Sequence, residues 1–152
     1  MHIDEITEFV TALGGVLVLE PGPGDGSPEI SWGDRFFYYA PDGVVPQTQP
    51  FATIVTKDYP DDVTSRLDRP DAFRVNIAAG REAYAEWTSQ PGSDPSTADV
   101  VIAHPVYGSL GWLAVVNPGP RTEAAVKELL TAAHHKARAR RDRRDDARPD
   151  AP

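Results

Sequence analysis

Apolar and polar positions alternate along the chain with two different periods, and each period predicts a different element. Ile3, Ile6, Phe9, Val10 and Leu13 recur at helical spacing over residues 3–13, with Asp4, Glu5 and Glu8 near the start, where acidic side chains suit the helix dipole. Gly14-Gly15 ends this helix, since glycine tolerates the left-handed cap. Val16-Leu17-Val18-Leu19 is a short apolar run bounded by turn residues and predicts a strand. The Pro/Gly-rich stretch 21–28 predicts a loop. Ile30 to Trp32 then predicts a short extended segment. It turns at Gly33-Asp34 into the aromatic strand Arg35–Ala40, which Pro41-Asp42-Gly43 closes.

Phe51–Thr56 predicts a strand with Phe51, Thr53 and Val55 on one face and Ala52, Ile54 and Thr56 on the other. Arg74–Ile77 predicts an extended segment that places Arg74 and Asn76 on one side. A short helix is expected over about residues 80–88. Val100–Ala103 and Trp112–Val116 predict two late strands, separated by the proline- and glycine-broken segment 104–111. The last helix is expected to start near Thr122, a suitable cap, with Val126, Leu129, Leu130, Ala133 and Ala137 forming one stripe. Helices at the ends and strands in the middle predict an α+β fold: a mostly antiparallel sheet packed against N- and C-terminal helices.

Charge divides the chain unevenly. Residues 136–152 hold seven of its fifteen Lys/Arg and four of its twenty-three Asp/Glu, so this end carries +3 and the first 135 residues carry −11. Residues 1–137 are therefore expected to form a single α+β domain, and 138–152 a charged tail, disordered or fraying from the last helix. An acidic body repels phosphate backbones, which leaves the tail arginines Arg138, Arg140, Arg141, Arg143 and Arg144 as the route to a nucleic acid or another acidic partner. A solvated helix end is the simpler use of the same charges. The 152 residues suit one domain, and the absence of cysteine excludes disulfides and thiolate chemistry. No leader-like start and no apolar run of spanning length is present, so a cytoplasmic protein is expected.

The chemistry-bearing candidates lie in two segments. His104-Pro105-Val106-Tyr107-Gly108 sits where a strand runs into an irregular loop, and a histidine there can serve as acid or base. Its alternative use is to bond a backbone carbonyl and hold the loop. Arg66, Arg69 and Arg74 could clamp an anion, but Asp58, Asp61, Asp62, Asp68 and Asp71 lie close by and favour internal pairing. Arg74 and Asn76 facing a cavity together would be a binding signature. Among the strand aromatics, either Phe36 and Tyr38 or Phe37 and Tyr39 must face away from the helices, and a groove with such walls would suit a planar small molecule. His134 and His135 are expected at the helix surface. No metal or cofactor motif is found, and Ser109 lacks the setting of a nucleophile.

The strings Phe51-Ala52-Thr53-Ile54-Val55-Thr56-Lys57-Asp58-Tyr59-Pro60, Ser65-Arg66-Leu67-Asp68-Arg69-Pro70, Phe73–Ile77, His104–Tyr107, Gly111-Trp112, Asn117-Pro118-Gly119 and Glu128-Leu129-Leu130 with Ala133-His134 resemble an uncharacterised bacterial domain-of-unknown-function family over about residues 3–140. The layout is more distantly similar to MmcQ/YjbR-like proteins. That resemblance implies a small α+β sheet-and-helix fold with a tryptophan on a late strand, here Trp112. It also implies a group for which DNA binding has been suggested and some of whose members lie beside antibiotic-biosynthesis or resistance genes. The acidic body departs from a DNA binder. Three functions stay open on the sequence. One is a small-molecule or partner-binding module with Arg74, Asn76, His104, Tyr107 and Trp112 as ligand-binding candidates and no cofactor. Another is a small enzyme with His104 as acid/base and Arg74 and Tyr107 orienting an anionic substrate. The third is tail-driven binding of an acidic partner.

Overall fold

A computed structural model describes residues 1–147. Its elements, in chain order, are α1 (Ile3–Thr11), β1 (Val16–Leu19), β2 (Arg35–Tyr39), β3 (Ala52–Val55), β4 (Arg74–Ala78), α2 (Arg81–Trp87), β5 (Val101–Ala103), β6 (Trp112–Val116) and α3 (Glu123–Ala147). Short 3-10 turns at Glu29–Ser31 and Gly108–Leu110 punctuate the loops. The six strands form one antiparallel sheet in the order β1-β2-β3-β4-β6-β5. An α+β fold with its helices against an antiparallel sheet is therefore what the chain adopts.

All three helices pack against the same face of the sheet. Phe37, Ala52, Ile54, Val75, Ile77, Leu113 and Val115 point from successive strands into a core completed by Ile6 and Val10 of α1 and Val126, Leu129, Leu130 and Ala133 of α3, with Ala83 and Tyr84 of α2 against it. The strand period of two places the intervening residues on the opposite face. There Thr53 pairs with Asn76 and Asn76 with Ala114, while Val55 pairs with Arg74 and Arg74 with Val116. Among the described residues no α-helix covers this second face. Loop 56–73 folds over one end of it, seating Leu67 against Val55 and Val116, with Tyr59 and Ala72 beside them.

Four expectations change. Phe51 does not share a face with Thr53 and Val55: it precedes β3 and packs into the helix-side core. Ile30 to Trp32 is not extended: Glu29–Ser31 is a 3-10 turn after Pro28, closed by the Ser31 and Trp32 backbone N–H groups donating to Pro28 and Glu29 carbonyls. The proline before the turn has an extended backbone that starts it rather than a strand. His134 is not at the surface. It is 1 % exposed, edge-on to Tyr39 and Phe51, and its Nε2 lies 2.7 Å from the Gly14 carbonyl. The Gly14-Gly15 turn thereby docks on α3, whereas His135 is exposed. Thr122 precedes α3 as expected, but its hydroxyl donates to Asp99 instead of capping. Asp99, held at a φ of 57°, braces the turn ahead of α3 from another segment: its carboxylate accepts the backbone N–H groups of Gly119, Arg121 and Thr122 at 2.8–3.1 Å.

Residues 138–147 continue α3 as regular helix with mostly exposed side chains. Arg141 leaves the solvent to pair with Asp42 at 3.1 Å. The last part of the expected tail, residues 148–152, lies outside the described residues. No helix among the described residues is long and apolar enough to cross a membrane.

Candidate functional site

The helix-free face of the sheet is hollow. A cavity of about 540 Å³ lies between the sheet and the loops that arch over it. Its floor comes from the odd-out residues of the central strands, Thr53, Arg74 and Asn76, and its walls are aromatic: Phe36 and Tyr38 from β2 and Trp112 from β6. Tyr107, Leu110 and Ile30 close the rim. The strand alternation thus sends Phe37 and Tyr39 to the helices and Phe36 and Tyr38 to the cavity. All five residues singled out from the sequence, Arg74, Asn76, His104, Tyr107 and Trp112, line this one hollow.

Arg74 organises the floor. It is 1 % exposed, and its five N–H groups all meet a partner atom. Nε donates to Asn76 Oδ1 at 2.7 Å. Nη1 donates to Asp62 Oδ1 and Ser65 Oγ, both at 3.0 Å, and Nη2 to Asp62 Oδ2 at 2.5 Å. The second Nη2 hydrogen faces His104 Nε2 at 3.1 Å. The Arg74–Asp62 pair is bidentate, the strongest geometry available to a carboxylate. Burial opposes ionisation of Asp62, but the hydrogen bonds and charge of Arg74 outweigh it and hold the carboxyl below its ordinary value. Asn76 passes the network on by donating from Nδ2 to Thr53 Oγ1 at 2.9 Å. Of the acidic neighbours expected to pair internally, Asp62 is the one that reaches Arg74. Arg69 instead donates to the carbonyls of Arg66, Ser65 and Ser96.

His104 follows β5 and is 4 % exposed. It does hold its loop, by a bond opposite in sense to the expected one. Nδ1 accepts the backbone N–H groups of Val106 and Tyr107, each at 3.0 Å. A charged imidazolium would have to donate from both nitrogens, yet both face donors. Burial first, and then the Arg74 charge, push its pKa down to about 4, with Asp62 opposing. The ring stacks at a tilt on Tyr107, centroids 5.0 Å apart, and stands edge-on to Trp112 at 6.4 Å. Gly111 ends the turn at a φ of 85°, where a Cβ would lie 3.1 Å from the Gly80 backbone. Only glycine closes this turn against α2 without displacing one of them.

A second network ties the rim to the sheet. Asp34 is fully buried and accepts the Thr56 backbone N–H, the Thr56 hydroxyl and Lys57 Nζ at 2.8–2.9 Å, as well as the Tyr59 hydroxyl. Lys57 also donates to the Trp32 carbonyl at 2.7 Å. These bonds pull the loop before β2 onto the loop after β3. Burial and the neighbouring Asp34 carboxylate hold the Tyr59 phenol protonated far above its ordinary range.

The sequence reading missed Asp34, taken as a turn residue, and the roles of Ser65 and Thr53 around Arg74, and it named Asp62 only as one of five acids near the arginines. A buried acid in a turn carries no local signal. Asp62 and Ser65 lie in a polar stretch whose direction only the fold sets. Among the described residues no cluster of His, Asp or Glu is arranged to hold a metal ion.

Residues 1–146 match a family of unknown function (DUF6194), and the chain belongs to it. No curated protein and no solved structure is similar enough to be matched to it.

Proposed function

We propose that this member of a family with no assigned activity binds a small planar molecule in the cavity over the helix-free face of the sheet. The observation that supports this most is a hollow of about 540 Å³ that combines aromatic walls with a hydrogen-bonded polar floor. Pockets of this size and make-up suit small ligands: apolar walls supply burial, and a few fixed polar groups set orientation. Trp112, Tyr38 and Phe36 offer ring faces for stacking. Arg74 and His104 are held by partners within the protein, and Asn76, with one Nδ2 hydrogen beyond its bond to Thr53, is the floor group placed to orient a ligand edge. Concavity favours a small molecule over a protein partner.

The test is titration of the protein with phenylnaphthylamine, an uncharged planar fluorophore. Saturable one-to-one binding, lost in Trp112→Ala with the fold intact by circular dichroism, is the expected result. Absence of saturable binding, or binding unaffected by Trp112→Ala, overturns the reading.

An acid/base enzyme centred on His104 has less support. The side chains of His104 and Arg74 do meet, but the imidazole has no nitrogen that is both unprotonated and free of a neighbouring donor. We also read the helix–sheet–helix order, with Trp112 on a late strand, as MmcQ/YjbR-like.

A further inference from the structure

A second basin of about 290 Å³ adjoins the cavity beyond the strand ends. Gln49, Pro50, Leu110 and Trp112 line both and form the sill between them. Beyond the sill the wall is the flank of α3, where Lys136, Arg140 and Arg144 recur every four residues and so share one helix face. Among the described residues no acidic side chain lines this basin. In a chain of net charge −8 that is a local inversion of sign.

Two other cations of this helix stretch have carboxylates to hand: Arg138 is 4.0 Å from Asp142, and Arg141 is 3.1 Å from Asp42 and 3.7 Å from Asp145. Among the described residues no carboxylate lies within 4.0 Å of Arg140 or Arg144. Lys136 is anchored by donating to the Ala79 carbonyl at 2.6 Å, which fixes the floor of the basin beside Gly80. The pattern is a hydrophobic slot whose exit leads directly to two unneutralised guanidinium groups.

We propose that the ligand is an amphiphilic planar anion: its ring system lies in the aromatic cavity, with an acidic group at one edge directed over the sill at Trp112 and Leu110 toward Arg140 and Arg144. This rests on the cavity reading above and adds the charge and direction of the ligand. It also gives the charged end of α3 a use that needs no nucleic acid.

The experiment pairs two probes that share the ring system and differ in charge, phenylnaphthylamine and anilinonaphthalene sulfonate. They are titrated against the full chain and against the double variant Arg140→Gln/Arg144→Gln, whose exposed positions leave the core untouched. Two exposed ion pairs correspond to a loss of about fivefold in sulfonate affinity. The uncharged probe should bind the variant as it binds the parent, Arg140→Lys/Arg144→Lys should retain sulfonate affinity, and added salt should erase the difference. If the double variant binds the sulfonate as tightly as the parent, or weakens both probes alike, the anion inference falls while the cavity reading stands. If the uncharged probe fails to bind the parent chain, the cavity reading falls and takes the inference with it.

Discussion

Arg74 Nη2 stands 3.1 Å from His104 Nε2, while His104 Nδ1 already receives two backbone N–H groups. Three donors therefore converge on a ring that, when neutral, offers one in-plane lone pair. Adding a second proton would leave it none. The contact explains why this histidine resists protonation and why it makes a poor base: whichever nitrogen keeps its proton faces a donor. An acceptor atom entering the cavity would relieve that crowding.

The first prediction is a pH dependence of stability. The folded-state pKa of His104, about 4, lies below its ordinary value of 6.5. Between those values the unfolded chain binds the extra proton, so stability falls as pH is lowered from about 6.5 to about 4 and is unaffected above that window. A depression of this size amounts to about 3 kcal/mol at the low end. Urea denaturation at pH 7 and pH 4.5 should show a drop in the parent that is largely absent in His104→Gln. Equal drops in the two proteins would refute the assignment. Ring nuclear resonances of His104 should stay in the neutral position to below pH 5.

The buried pair gives the second. Removing one partner leaves the other charge buried and alone, so Arg74→Met or Asp62→Leu should each cost about 3–5 kcal/mol. Together they should cost much less than the sum, because the double variant strands no charge. A double-mutant cycle by chemical denaturation reads this directly; additive losses would mean that the two side chains do not depend on each other.

A third concerns the turn that leads into α3. Asp99 makes three bonds to backbone N–H groups ahead of the helix and one to the Thr122 hydroxyl, at a backbone angle that L-residues seldom adopt. Asp99→Ala loses the bonds and keeps the strain, whereas Asp99→Gly loses the bonds and relieves it. Losing hydrogen bonds to a charged acceptor costs about 1.5–3 kcal/mol. Asp99→Gly should therefore be the more stable of the two, both below the parent in thermal unfolding. The reverse order would place the strain elsewhere.

The cavity rim provides the fourth. Tyr107 is 48 % exposed, and its ring covers His104. Tyr107→Ala should change stability by less than about 1 kcal/mol while opening the pocket mouth, so that exchange of the bound uncharged fluorophore quickens. Stopped-flow release that is no faster than in the parent would show that the ring does not guard the entrance.

Much of the fold was legible along the chain because its cause is local. A four-residue apolar run between turn residues, or leucines and alanines at helical intervals, becomes strand or helix through interactions among near neighbours. The paired faces of β2 and β4 followed from the strand period alone: Arg74 and Asn76 had to share a side, and one aromatic pair had to turn from the helices. Misreadings came where a distant group intervened. His134 looked like a helix-surface histidine until the Gly14 carbonyl and two aromatic rings from other segments buried it. Ile30 looked extended until Pro28 and the buried Asp34 network drew its loop into a turn.

By itself, then, the sequence determined the elements, the α+β class, the division of charge and a short list of polar residues worth watching. Only the tertiary structure decided that Thr53, Asp62, Arg74 and His104 meet, that among the described residues the face they share has no helix over it, and that Arg140 and Arg144 line a second basin beside that hollow, with Trp112 common to both. The reason is that strand register and loop closure join residues tens of positions apart, and the energy of a buried charge depends on those partners rather than on its neighbours in the chain.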